Sequence, residues 1–156
     1  MKLILISLLL TISSGIDHNF TIENKKLKWS ADYEYTSKSD LLLSIHTSSL
    51  TNVKEITKEI FVGNFEFDQN TTKKFNRPIW TKSRLSGKAI ITISDENYNV
   101  QFKDLKIYSP VQIFDNVEPT KEAIEIYTIK NNKLKKQFLK NIEPYQIQLF
   151  ELGKLI

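Results

Sequence analysis

The sequence contains no cysteine and only four glycines, four prolines and two histidines among its 156 residues. Without cysteine the chain forms no disulfide and has no thiol nucleophile and no cysteine that a lipid anchor needs. So few glycines and prolines exclude a low-complexity tract or a flexible linker. After residue 15, no segment approaches the roughly 20 apolar residues that a membrane-spanning helix needs.

The first residues have the pattern of a secretory leader. Lys2 precedes an apolar run from Leu3 to Leu10 that only Ser7 interrupts, and small or polar residues follow as far as Gly15. A positive charge, a short apolar core and a small-residue end are typical of a signal peptide. We therefore expect residues 1–15 to be removed after Gly15, and the protein to be exported to a periplasmic or extracellular location.

The remaining 141 residues, 16–156, have the size of one domain and are long enough to bury an independent core. Apolar residues make up 40% of the chain and charged residues 26%, both close to globular averages. Without Lys2, 21 basic residues stand against 18 acidic ones, and a net charge of +3 favours no class of partner by itself. We expect a single domain over residues 16–156.

Period-two alternation predicts a hairpin of antiparallel strands near the start. Phe20 to Ile22 alternates and is followed by the polar turn Glu23 to Lys26. A nine-residue alternating run, Leu27 to Tyr35, then puts Trp29 and Tyr33 on one face. The opposite face of this run is polar, so we expect one side of the sheet to face water.

A helix is predicted directly after this hairpin. Ser37 and Asp40 have the spacing of a capping box, which marks the start of a helix. Leu41 and Ile45 then follow helical spacing, and the helix is expected to end near Leu50.

Further strands are predicted on either side of a segment without a pattern, residues 68–88. Ile60 to Asp68 alternates, and Gly63 is expected to mark a bulge or a close approach of the chain. Ala89 to Ser94, a polar turn and a following strand with a bulge near Lys103 form a second hairpin.

The stretch from Ala123 to Lys140 admits two interpretations. Ala123 to Lys130 is typical of a strand that ends in a turn at Asn131-Asn132, but Tyr127 and Phe138 also fit helical spacing. The five lysines of residues 130–140 are expected on the outer face of an element that packs on the core.

A C-terminal helix is indicated by Pro144, which suits the first turn of a helix. These elements predict an α+β fold with an antiparallel sheet of about five to seven strands, one helix after the first hairpin and a short C-terminal helix. The expected buried stripe of the C-terminal helix is Ile147, Leu149, Phe150 and Leu152.

Short motifs along the chain carry a resemblance to a known family. They are Phe20-x-Ile22-x-Asn24-x-x-Leu27-x-Trp29, Ser37-Lys38-Ser39-Asp40-Leu41, Phe61-Val62-Gly63, and Ser86 to Ile93 followed by Tyr98-Asn99-Val100. In this order they resemble exported proteins of Gram-negative bacteria that are assigned a domain of unknown function with a TBP-like (TATA-binding-protein-like) fold. The resemblance implies export and a sheet-plus-helix fold, and it implies no activity. Fold does not carry function, so the TBP-like label gives no reason to expect DNA binding.

The chain departs from that family's pattern at its second hairpin. It has Asp95-Glu96-Asn97 where the family usually has a basic turn with glycine, and Asn99 stands where the family usually has an arginine. The resemblance therefore transfers no role of that arginine to this chain.

Signatures of catalysis and of metal binding are scarce. The sequence has no Gly-x-Ser-x-Gly elbow and no phosphate-binding glycine loop. His18 and His46 are the two imidazoles, and neither has the spacing of a metal site. Asp32 and Glu34, on one strand face, are the test case for paired-carboxylate chemistry, although alternating charges more often belong to a solvated strand. We predict no catalytic residue, no metal and no cofactor.

Residues 69–94 carry six cations and no acidic residue, with Phe75 and Trp80 between them. Cations beside an exposed aromatic suit an acidic polysaccharide, a lipid phosphate or the acidic face of a protein. The alternative is a solvated loop with Trp80 folded back on the sheet. The candidate contact residues are Lys73, Lys74, Arg77, Trp80, Lys82 and Arg84.

The predicted function is that of an exported binding or interaction module of the bacterial envelope, without catalysis. Its expected partner is an acidic envelope ligand or protein, and not a nucleic acid. Two alternatives stay open, a hydrolase with an unrecognised carboxylate site and a purely structural envelope domain.

Overall fold

A computed structural model of the protein describes residues 19–68, 78, 83–108 and 120–154. The α+β fold class is confirmed. The helices and strands in chain order are β1 (Phe20–Glu23), β2 (Lys26–Glu34), α1 (Lys38–Thr47), β3 (Thr51–Thr57), β4 (Ile60–Phe67), β5 (Leu85–Ile93), β6 (Asn97–Tyr108), β7 (Lys121–Ala123), α2 (Glu125–Thr128), β8 (Ile129–Lys130), β9 (Lys133–Leu134), α3 (Lys136–Leu139) and α4 (Glu143–Lys154).

Within these residues, seven strands form one antiparallel sheet in the order β1-β2-β6-β5-β4-β3, and β7 also pairs with β6. Strands β8 and β9 form a separate ribbon. Side chains of α1, α3 and α4 join the sheet in one apolar core on one face. The polar positions of the strands lie on the other face, as the alternation predicts. No helix of the described part is long and apolar enough to cross a membrane.

The first hairpin and the helix after it form as predicted. Asn24 and Lys25 make the turn between β1 and β2 with φ angles of 51° and 63°, which is the left-handed region. Ser37 caps α1 by accepting a hydrogen bond from the backbone N–H of Asp40 at 3.3 Å. The close approach predicted at Gly63 is confirmed, because a Cβ there would lie 3.2 Å from the Cβ of Leu50.

The second hairpin begins earlier than predicted, because β5 starts at Leu85, inside the stretch that showed no pattern. The bulge near Lys103 is confirmed. Lys88 pairs with Lys103 but Ser86 pairs with Lys106, and Asp104 between them has a φ of 51°. Beyond the bulge β6 leaves β2 and pairs with β7 instead.

Neither of the two interpretations of the stretch from Ala123 to Lys140 holds throughout, because short strands and single helical turns alternate in it. Strand β7 ends at Ala123, one helical turn (α2) follows, and only Ile129 and Lys130 return to strand geometry. Ile124 and Thr128, at the two ends of this turn, are both buried, and the Thr128 hydroxyl donates to the Ile124 carbonyl oxygen at 3.1 Å. The turn at Asn131-Asn132 is confirmed, with both residues in the left-handed region.

The C-terminal helix has Pro144 in its first turn as predicted, but the predicted buried stripe is wrong in part. Ile147 is 54% exposed and Phe150 is 41% exposed. The helix instead buries Tyr145, Leu149 and Gly153, which follow each other at a spacing of four residues.

Hydrogen bonds hold α4 on β2. The Gln146 Oε1 atom accepts from the Trp29 indole N–H at 3.0 Å and from the Asn19 backbone N–H at 3.3 Å. The Gln146 Nε2 atom donates to Asn19 Oδ1 at 2.8 Å. The start of the described chain is therefore tied to a residue near its end.

Candidate functional site

Three lysines from three neighbouring strands lie side by side on the open face of the sheet. Lys103 of β6 pairs in register with Lys88 of β5. On the other side of β6, Trp29 pairs with Phe102, which places Lys28 of β2 beside Lys103. Neighbouring strands lie about 4.8 Å apart. We call Lys28, Lys103 and Lys88 the lysine row.

The lysine row is only partly neutralised. Lys28 Nζ lies 3.0 Å from Glu23 Oε2, and Lys88 Nζ lies 3.3 Å from Asp104 Oδ2. Among the residues that the structure describes, Lys103 has no carboxylate within ion-pair distance. The pKa of Glu23 is lowered by its hydrogen bond with Lys28, and further by the charges of Lys28 and Lys103. Two carboxylates thus face three ammonium groups.

A cavity of about 620 Å³ lies beside the row, where β4, β5, β6 and β7 meet at the bulge. The register puts Asn64, Ser86, Lys88 and Lys106 on the solvent face, and these residues line it. The core-facing positions between them form its floor. The charged residues of its wall are Lys26, Lys88, Lys106, Lys121, Glu66, Asp104 and Glu125.

Ser86 is the most enclosed polar residue of this cavity, with only 7% of its surface exposed. Within the described chain its hydroxyl makes no hydrogen bond. The neighbouring Gly87 allows β5 and β6 to approach closely, because a Cβ there would lie 2.8 Å from the carbonyl oxygen of Lys103. The cavity therefore offers a hydroxyl without a protein partner in the described residues, between Lys106 on β6 and Glu66 on β4.

Arg84 is the one predicted contact residue that the structure describes, and its charge is matched within the protein. Its Nε lies 2.7 Å from Asp68 Oδ1 and its Nη1 lies 3.1 Å from Glu66 Oε1. These carboxylates raise the pKa of the guanidinium. Glu66 also accepts hydrogen bonds from Lys121 at 2.9 Å and from the Tyr108 hydroxyl at 3.0 Å, and these partners hold the pKa of Glu66 below its usual value.

The other predicted contact residues lie outside the described residues: Lys73, Lys74, Arg77, Trp80 and Lys82. Their role as contact residues stays a prediction. The segment that holds them follows β4 and precedes β5, so both of its ends join the strands that line the cavity.

The remaining candidates are separate from this site. Asp32 and Glu34 lie exposed on the sheet, and Asp32 Oδ1 accepts a hydrogen bond from Asn99 Nδ2 at 2.8 Å. His46 is exposed at the edge of the Phe61 ring, with 6.0 Å between ring centroids. In the described ranges no group of three His, Cys, Asp or Glu side chains is placed to hold a metal.

Sequence reasoning missed the lysine row because its members come from three distant segments. Lys28 and Lys103 each looked like one polar residue of an alternating strand, and Lys88 like part of the basic segment. The like-charged neighbours became visible only with the strand register. A usable signal was the predicted bulge at Lys103, since bulges are frequent near functional sites.

No protein-family model and no curated protein matches the sequence. Among solved structures, the chain is similar to a TBP-like protein from Parabacteroides distasonis ATCC 8503, with a TM-score of 0.52, 18% identity and coverage of 86% of this chain and 92% of that chain. A DUF4468 family protein from Bacteroides ovatus ATCC 8483 gives a TM-score of 0.47 at 9% identity, covering 88% of this chain and 89% of that one. An identity of 18% establishes the fold alone. The first likeness confirms the expected fold: this chain folds like a TBP-like protein.

Proposed function

We propose that this protein is an exported, non-catalytic module that binds an anionic ligand on the open face of its sheet. The lysine row carries this proposal. Like charges directly opposite each other in a sheet are destabilising, and an anionic ligand relieves that repulsion when it binds. The cavity extends the basic surface, since Lys26 and Lys106 in its wall have no carboxylate within ion-pair distance among the described residues.

The segment of residues 69–83 supports the same proposal from the sequence. It contributes four cations and no acidic residue, and in the sequence it lies between β4 and β5, two of the strands that line the cavity. We propose that these residues add to the binding surface, whereas Arg84 holds the strand ends together. Its two carboxylate partners, Glu66 and Asp68, already neutralise its charge, so it would attract an anionic ligand only weakly.

The binding proposal is tested by isothermal titration calorimetry with two polyanions, polygalacturonate and poly-L-glutamate. The double variant Lys28→Gln, Lys103→Gln removes two charges from the lysine row. The control, Lys54→Gln, Lys58→Gln, removes two exposed charges at β3 and the turn after it. We expect the row variant to lose about tenfold in affinity, since each of the two contacts is worth about 0.7 kcal/mol and tenfold corresponds to about 1.4 kcal/mol.

The salt dependence supplies a second readout. Binding through the row should weaken as salt rises, because exposed charges are screened, and the row variant should show a shallower dependence than the control. Equal losses in the two variants, or no binding of either polyanion by the unchanged protein, would contradict the proposal.

The export proposal is supported by the leader-like start of the sequence. We expect that expression of the full chain in a Gram-negative host gives a periplasmic protein whose mass corresponds to cleavage after Gly15. Full-length protein that stays in the cytosol with Met1 attached would overturn this part and leave the binding proposal standing.

The hydrolase alternative gains no specific support from the geometry. Asp32 and Glu34 lie on an open strand, and Asp32 is engaged by Asn99. The calorimetry also distinguishes binding from the alternative of a purely structural role, because a structural domain needs no affinity for a polyanion.

A further inference from the structure

We infer that the ligand is an acidic polysaccharide and that the cavity at the β6 bulge binds one acidic sugar unit of it. This inference rests on the proposed function and adds the class of ligand. It is carried by the combination of a serine hydroxyl without a protein partner in the described residues, a neighbouring amide and lysines without ion-pair partners in one cavity.

The floor and walls of the cavity suit the hydroxyl groups of a sugar. A volume of about 620 Å³ lies within the range of small-molecule sites. Ser86 lines the cavity with a hydroxyl that has no protein partner in the described residues, and Asn64 adds a side-chain amide to its wall. The Thr51 hydroxyl in the wall donates to the Asn64 backbone carbonyl oxygen at 3.4 Å, and its oxygen can still accept a hydrogen bond. Because the Ser86 hydroxyl has no partner among the described residues, it is free to form a hydrogen bond with a sugar hydroxyl.

The lysines supply the preference for an acid. Lys106 has no carboxylate partner among the described residues. The pair between Lys88 and Asp104 is open to solvent, with 57% and 52% of the two side chains exposed, so it contributes little and a ligand acid group can replace Asp104. A lysine is a compact charge without the planar preference of arginine, so it suits carboxylate and sulfate alike.

The lysine row continues from the cavity across β6 to β2. A linear polymer whose first unit sits in the cavity would therefore place its next acid groups near Lys103 and Lys28. Neighbouring positions of the row are separated by about one strand spacing, 4.8 Å. A polymer with a repeated acid matches this geometry better than a single small anion, which would leave most of the row uncovered.

An acidic protein fits this face less well. The centre of a protein–protein interface is apolar and poor in charge, whereas Lys88, which belongs to both the row and the cavity, and the solvent-facing residues on either side of it are polar or charged. The large apolar side chains that are most exposed among the described residues lie on the helices and on β3: Leu43, Ile56, Ile126, Ile147 and Phe150.

The test compares three probes by isothermal titration calorimetry: an oligogalacturonide, its neutral methyl ester, and poly-L-glutamate of similar length. The oligogalacturonide carries both sugar hydroxyls and carboxylates, and each of the others lacks one of the two. We expect the protein to bind it at least about tenfold more tightly than either of the others.

Variants locate the site. Ser86→Ala should weaken oligogalacturonide binding by about two- to tenfold, the effect of one hydrogen bond, and leave poly-L-glutamate binding unchanged. Lys106→Gln should weaken the binding of both polyanions. Ser44→Ala on α1 is the matched control and should change neither, and urea unfolding checks that all three variants fold.

The outcomes separate this inference from the proposed function. If poly-L-glutamate binds as tightly as the oligogalacturonide, or if Ser86→Ala has no effect on any probe, the polysaccharide inference is wrong while anion binding stands. If the neutral methyl ester binds as tightly as the oligogalacturonide, the negative charge does not drive binding, and both the proposed function and this inference are wrong. If neither polyanion binds at all, the proposed function fails and this inference fails with it.

Discussion

Replacing Gly153 with alanine tests how α4 is docked on the sheet. A Cβ at residue 153 would lie 2.9 Å from Cζ of Tyr33 and closer still to its hydroxyl oxygen. The Tyr33 ring has little room to move, because it stacks on Tyr98 with 5.1 Å between ring centroids and contacts the Phe150 ring at 5.3 Å. Its hydroxyl donates to the Phe150 carbonyl oxygen at 2.9 Å.

Two opposing effects set the size of the change. Alanine favours a helix over glycine by about 1 kcal/mol, so an unhindered substitution would stabilise α4. Overpacking a filled core costs about 1–3 kcal/mol, and displacement of the Tyr33 hydroxyl loses a hydrogen bond worth about 1 kcal/mol. We expect Gly153→Ala to lower the free energy of unfolding by about 2 kcal/mol and Tm by about 6 °C.

Urea unfolding followed by tryptophan fluorescence measures this change, since Trp29 is fully buried. A double-mutant cycle with Tyr33→Phe tests the cause. Tyr33→Phe alone loses the hydrogen bond to Phe150, but next to Gly153→Ala it also removes the atom in closest contact. The double variant should therefore lose about 1 kcal/mol less than the sum of the two single variants. An additive cycle, or a raised midpoint for Gly153→Ala, would refute the packing argument.

Further predictions concern other parts of the fold. Gln146→Leu should lower the free energy of unfolding by about 2 kcal/mol in urea, because its hydrogen bonds to the sheet are lost, whereas exposed Gln137→Leu should change it little. Lys25→Gly should raise Tm and increase the free energy of unfolding by about 1 kcal/mol. Glycine adopts the φ of 63° at this position without strain, and the substitution creates an Asn-Gly turn, which is favoured in hairpins. The pKa of Glu66 is lowered chiefly by its hydrogen bond from Lys121, so the stability it confers is present above its ordinary pKa of 4.5 and is lost as the pH falls. Glu66→Gln should therefore reduce the difference between urea midpoints at about pH 7 and about pH 3.5, and an unchanged difference would contradict this.

The elements predicted from the sequence are those in which local pattern and tertiary environment agree. β2 alternates because one of its faces packs on the helices and the other faces water. α1 begins directly after Ser37, whose side chain caps the helix. The pattern fails where the environment is unusual. β3 is an exposed edge strand with two register shifts, so apolar alternation cannot mark its ends.

The C-terminal helix was predicted correctly, but its buried face was predicted wrongly in part, for a different reason. Hydrophobicity favoured Ile147 and Phe150 as buried residues, but the side that packs on the sheet contains Tyr145 and Gly153. A glycine is buried there because aromatic rings of β2 and β6 fill its space. Which residues of α4 contact those rings depends on how distant segments of the chain pack together. The lysine row also could not be predicted, because strand pairing between distant segments brings its members together.

The bond between Trp29 and Gln146 joins residues 117 positions apart, and it has a consequence for the newborn chain. The ribosome has finished β2 and β6 long before it makes the helix that shields them. Until then the aromatic side chains of β2 and β6 that α4 covers are exposed to solvent, and exposed apolar surface makes the chain prone to aggregation. A polypeptide that stops short of residue 143 never receives that shield, so we expect premature termination to yield aggregates and not a smaller working protein.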